Sequence, residues 1–282
     1  MPTDSGLPKI SIVTPSFNQG EFLEKTITSV LDQGYPALEY SVIDGGSTDA
    51  SADIIRRYAG RLAYWESEKD RGQGHAINKG FARATGEILG WLNSDDRLEP
   101  GALHTVAQMA MAHPDAGVFV GAGRKMDRDG RENYYKEPRD LSFEGLCRWM
   151  DGNNFMQPSC FFRKSVWDAC GPLDESVHIA LDVDLWLRMS KRTRFQRIDR
   201  LLSTATYHEN AKTAALRHRM VVDCALVIFK NGGETEARRY LDAMADRLVH
   251  LERMAAKLTR NPVYRLLRPF VKGSARVRTA KE

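Results

Sequence analysis

Between residues 9 and 120, short runs rich in β-branched and aromatic residues alternate with segments of helical period, and this alternation restricts the fold of the 282-residue chain more than any other feature. Parallel strands need long crossover connections, so such alternation predicts βαβ units and a mainly parallel, Rossmann-like sheet flanked by helices. The predicted strands are Ile10 to Thr14, Tyr40 to Ile43, Ala63 to Trp65, Ile88 to Leu92 and Val118 to Val120. Between the first two, Leu23, Ile27, Val30 and Leu31 fall on one helical face, and Ile54, Ile55 and Tyr58 do so in the next crossover.

From about residue 130 the alternation gives way to mixed pieces: an aromatic run near Tyr134, a helix near Phe143 to Trp149, a strand Cys160 to Arg163 and a helix Asp184 to Lys191. After Thr213 the pattern is helical, with Asn231-Gly232-Gly233 as the strong breaker. The expected organisation is one α/β domain over 1–212, with halves of about 9–120 and 121–212, followed by a helical extension over 213–282. Apolar residues make up 42% of the chain, enough for a full core. No run approaches the roughly 18 apolar residues that cross a bilayer and the N-terminus does not read as a signal peptide, so a cytoplasmic location is expected. Cys147, Cys160, Cys170 and Cys224 form no CxxC pair and read as ordinary thiols.

In open α/β sheets ligands bind beyond the carboxyl ends of the strands. Those ends read Thr14-Pro15-Ser16-Phe17-Asn18, Asp44-Gly45-Gly46-Ser47-Thr48-Asp49, Ser67-Glu68-Lys69-Asp70 and Asn93-Ser94-Asp95-Asp96. Neither GxGxxG nor GxxxxGK[ST] follows the first strand, which excludes the usual phosphate cradles of dinucleotide oxidoreductases and P-loop NTPases. The Asp95-Asp96 pair suggests a hard cation on oxygen ligands bridging to phosphate.

TPSFNQ, VIDGGSTD, INKG, GWLNSDD, QPS, DVDLWLR and HENAKT follow one another from about Lys9 to Thr213. In these motifs the chain resembles family 2 glycosyltransferases of the GT-A fold, in the branch that builds bacterial polysaccharide and lipopolysaccharide. The resemblance implies an inverting transfer from a nucleotide diphosphate sugar, a UDP-sugar foremost, to a hydroxyl of a glycan or lipid-linked glycan. It implies that Thr14, Pro15, Asp44, Gly46, Asn78, Asn93 and Ser94 border the donor, and that Asp95 and Asp96, with His208, hold Mg²⁺ or Mn²⁺. Asp182 aligns with the catalytic base, and Gln157 and Asp184 fall on the acceptor side. The family usually has aspartate where this chain has Asn93, which removes a charge and points Asn93 towards ribose instead of metal.

Each motif also has a plainer reading. Asp44 to Asp49 makes a turn and helix cap, Asp95-Asp96 makes a solvated loop, and Asp182 and Asp184 favour a helix N-terminus. A sugar nucleotidyltransferase would share the metal-binding acids, but its basic Gly-rich loop is not found after the first strand; a non-catalytic nucleotide-sugar binder would be free to lose Asp95 or Asp182, and both are present. The net charge of +4 is uneven: residues 236–282 hold twelve Lys/Arg against five Asp/Glu, which leaves the rest acidic and speaks against nucleic acid as a partner. Within that tail, Val263, Leu266, Leu267, Phe270 and Val271 lie among Arg265, Arg268 and Lys272, a pattern that suits peripheral contact with an anionic membrane or docking on the protein itself.

Overall fold

The computed structural model describes residues 6–127, 129–207 and 217–260. His208, the rest of the HENAKT motif and the basic tail from residue 261 lie outside the described residues.

The N-terminal half is built as the alternation requires. Strands β1 (Ile10–Ser16), β2 (Leu38–Asp44), β3 (Tyr64–Ser67) and β4 (Ile88–Trp91) lie in the order β3-β2-β1-β4, all parallel. Every residue of β1 is buried, as expected for a central parallel strand covered on both faces. Helices α1 (Gly20–Leu31) and α2 (Ser51–Tyr58) turn Leu23, Ile27, Val30, Ile54 and Ile55 into the core. A third helix, α3 (Gln73–Arg83), packs on β1 and β2; Gly80 meets Val13 so closely that any Cβ there would clash with its side chain.

Beyond β4 the sheet becomes mixed. Strands β5 (Asp96–Leu98), β6 (Ala116–Met126), β7 (Glu132–Lys136), β8 (Cys160–Arg163) and β9 (Arg194–Thr206) extend it as β4-β8-β6-β9-β5, with β7 on β6. β8 runs antiparallel between β4 and β6, whereas β6 and β9 are parallel. α4 (Ala102–Ala112) covers β6 and β9; α5 (Phe143–Cys147), α6 (Lys164–Cys170) and α7 (Leu181–Ser190) follow in chain order. α8 (Arg217–Lys230) packs on α7, and α9 (Glu234–Arg260) begins after the predicted breaker. The contacts divide the chain into two compact units, Met1–Ala237 and Arg238–Glu282. No helix among the described residues is long and apolar enough to cross a membrane. None of the four cysteines is in a disulfide, and all four are buried.

Candidate nucleotide-sugar site

The loops after β1 and β2 are fastened to each other. Asn18, in the left-handed region at φ 52°, accepts from the Thr48 backbone N–H at 2.9 Å through its side-chain oxygen, while its own N–H donates to Ser47 Oγ at 2.7 Å. Gly20 N–H donates to Asp49 at 2.9 Å. Asp44 closes the second loop, accepting from Ser47 N–H (2.9 Å), Ser47 Oγ (2.6 Å) and Ser67 Oγ (2.7 Å). The loop after β4 is held from behind, because the buried Thr26 hydroxyl on α1 lies 2.9 Å from the Ser94 carbonyl and 2.7 Å from that of Asp96.

These loops form one wall of a cavity of about 870 Å³ beyond the carboxyl ends of the parallel strands. Pro15, Asn93, Ser94, Asp95, Asp96, Gln157 and Asp182 all line it, so residues up to 167 positions apart in sequence converge there. Asp182 sits in the first turn of α7 and accepts from Val183 N–H at 2.9 Å. Asn93 stands at the centre of an amide chain. Its oxygen accepts from Gln73 at 2.8 Å, its nitrogen donates to Gln157 at 3.2 Å and Asp96 at 3.3 Å, and Gln157 donates to the Trp91 carbonyl at 2.9 Å.

Asp96 is 6% exposed, and burial, reinforced by the adjacent charge of Asp95, pushes its carboxyl well above the usual carboxylate range, against the pull of Asn93 and Lys125. Among the described residues no cluster of three or more His, Cys, Asp or Glu is poised as a metal cage. Two hydrogen-bond donors on the cavity wall have no partner: Ser16 Oγ and Trp91 Nε1, on side chains 4% and 2% exposed. Buried polar groups are rarely left so.

Other expected residues lie elsewhere. Thr14 is fully buried with its hydroxyl 2.9 Å from Tyr40 OH, and Asp44 is saturated by serines; neither lines the cavity. Gly46, at φ +83°, abuts the Lys69 backbone, and its neighbour Gly45 reaches the wall. Asn78 clamps α3 to the segment before α7, donating to the Leu173 carbonyl at 3.0 Å and accepting from Leu173 N–H at 2.9 Å. Asp184 is fully buried, paired with Arg188 at 2.9 Å and bonded by Asn231 at 3.0 Å.

The family model "Glycosyl transferase family 2" matches residues 11–170. The chain belongs to that family. Among curated relatives, TuaG of Bacillus subtilis, named for teichuronic acid biosynthesis, is 32% identical over 142 residues, 49% of this chain and 56% of that protein. A chondroitin synthase of Escherichia coli is 28% identical over 72% of this chain but only 29% of its own length, so the chain spans little more than half, or less, of these relatives. Among solved structures, Staphylococcus aureus TarS residues 1–349 with UDP superposes with a TM-score of 0.60 at 18% identity, covering 90% of this chain and 75% of that one. The Pyrobaculum calidifontis mannosyltransferase PcManGT, with GDP-Man and Mn²⁺, gives 0.62 at 20% identity, covering 94% and 84%. The fold is thus GT-A.

The strand-end runs supply about a third of the residues that line the cavity. Gln73, Lys125, Tyr134, Trp149, Met220 and Cys224 are among the lining residues outside every motif read from the sequence. Lys125 sits at the end of β6, a strand read from sequence only as far as Val120. Gln73 opens α3, whose glycines and polar residues blur its helical period. Burial and the nearby charge of Asp182 raise the Cys160 and Cys224 thiols, Cys224 to about 12, so both remain thiols at neutral pH.

Proposed function

We propose that the protein is an inverting, metal-dependent glycosyltransferase that moves a sugar from a nucleoside diphosphate sugar to a hydroxyl of a glycan or lipid-linked glycan. The observation that carries the reading is that Asp95, Asp96 and Asp182 share one cavity at the carboxyl ends of β1 and β4. The GT-A neighbours with UDP and with GDP-Man and Mn²⁺ support it.

The residues fit a divalent cation. Two adjacent carboxylates, one of them buried and disfavoured as an anion by its surroundings, are a hard oxygen donor set whose mutual repulsion a cation relieves. Asp95 and Asp96 would hold Mg²⁺ or Mn²⁺, which when bound supplies Lewis-acid stabilisation of the departing diphosphate.

The chain's own groups do the rest. Pro15, Ser16 and Gly45 border the nucleotide. Lys125 adds positive charge to the same wall. Asp182 accepts the proton of the acceptor hydroxyl as its oxygen bonds to the anomeric carbon and the bond to diphosphate breaks. A single displacement inverts that carbon.

Thermal unfolding against UDP-, GDP- and dTDP-sugars, with and without Mn²⁺, tests the reading. A ligand at about 100 times its Kd adds roughly 2.7 kcal/mol, a rise of roughly 5–10 °C for a domain of this size. One class of donor is expected to give that rise only with Mn²⁺; no rise with any donor would overturn the proposal.

A further inference from the structure

Helix α9 carries an apolar stripe with a seven-residue repeat. Leu241, Met244, Leu248, Leu251, Ala255 and Leu258 follow one another at alternating spacings of three and four. This puts Leu241, Leu248 and Ala255 at the a positions of heptads and Met244, Leu251 and Leu258 at d, the seam along which two helices wind around each other. Leu241, Leu248, Leu251 and Leu258 are 40% to 60% exposed. Leucines standing in water at regular intervals over five turns are a surface built to be covered.

The charges beside the seam select what covers it. A membrane-lying helix concentrates Lys and Arg on its polar face. Here Glu234–Arg260 carries six basic and five acidic residues, a balanced face suited to another protein helix. At the positions flanking the seam, Arg247 occupies g and Glu252 the e position of the next heptad. In a parallel pair of identical helices, g of one chain faces the following e of the other, so Arg247 and Glu252 meet twice across the two-fold axis with opposite charge. An antiparallel pair with the same leucines in contact would set Arg247 against Met254 and Glu252 against Ala245, leaving both charges without a partner across the seam.

We propose that α9 is the interaction surface for a second copy of this chain, joined as a parallel two-stranded coiled coil over Leu241 to Leu258. The chain is then a dimer in solution.

Sedimentation equilibrium and light scattering on the full chain test this. The expected mass is twice the 31.8 kDa of one chain. The pair Leu248→Glu and Leu251→Glu is expected to give a monomer, with near-ultraviolet circular dichroism of the first unit unchanged. Arg247→Glu alone and Glu252→Arg alone are each expected to weaken the dimer several-fold, and the double charge swap to restore it. A monomeric wild-type chain, or a dimer that survives both leucine changes, would overturn the proposal. A dimer that the leucine changes abolish but the charge swap does not restore would overturn the parallel register. Co-sedimentation of a monomeric chain with anionic vesicles, abolished by the leucine changes, would assign the stripe to lipid instead.

Discussion

Asp182 and Asp184 are two residues apart in the same helix turn and have different surroundings. Asp182 faces the cavity, whereas Asp184 is sealed between Arg188 and Asn231, where its charge is matched and its lone pairs are used. Only the first can reach a substrate. Replacing Asp182 by Asn keeps shape and removes proton acceptance, so donor affinity is expected to hold while kcat falls by roughly 10²-fold or more. Steady-state kinetics with the identified donor checks this, and near-normal turnover in the variant would move the base elsewhere. Asp44 shows the same principle in reverse. Its three donors from Ser47 and Ser67 make it the keystone of its loop, so its carboxylate reaches the site through the loop it shapes.

At the level of elements, the site depends on where strands β1, β2 and β4 end, and the opposite end of the sheet is stapled to hold them in register. Glu39 at the start of β2 accepts from Lys9 Nζ at 2.8 Å, from Ser11 Oγ, and from Thr85 N–H and Oγ1 at 2.7 Å each, tying β1, β2 and the segment before β4 together. Burial opposes its ionisation, but these donors outweigh it and hold the carboxyl at about 2, below the ordinary 4.5. Because the folded value is the lower one, this stabilisation is complete above about pH 4.5 and is lost as pH falls towards 2. Glu39→Gln is expected to lower stability at pH 7 by on the order of 2 kcal/mol, with the gap to wild type closing below pH 4.5. Chemical unfolding at a series of pH values measures it; a gap that does not change with pH would contradict the charge-based account.

For the whole molecule, the first half was legible because its strands are short apolar runs punctuated by acidic turns. The second half was legible only in part: the strand Cys160 to Arg163 and the helices near Phe143 and Asp184 are found, whereas β5 and β9 were not read, and the reason is physical. β9 reads Arg-Phe-Gln-Arg-Ile-Asp-Arg-Leu-Leu-Ser-Thr-Ala-Thr, and its buried stretch includes Ser203 and Thr204, whose burial is satisfied by long-range partners such as Ser159 and Glu99. Burial of that kind leaves no apolar period to read. α3 was equally opaque, since two of its eleven residues are glycines and its buried face is Ala76, Ile77, Gly80 and Phe81. Of the residues that line the cavity, Asp95, Asp96, Asp182 and Gln157 lie in local motifs that the sequence displays, whereas Lys125 and Cys224 join the wall only through the tertiary fold. The proposed transfer requires that wall to be a metal-assisted donor site. Isothermal titration of the wild-type chain and of Asp95→Ala with the donor found by thermal screening, each with and without Mn²⁺, tests it most directly. Mn²⁺-dependent binding to wild type and none to the variant is expected; equal affinity and equal Mn²⁺ dependence in both would contradict a metal-holding role for Asp95.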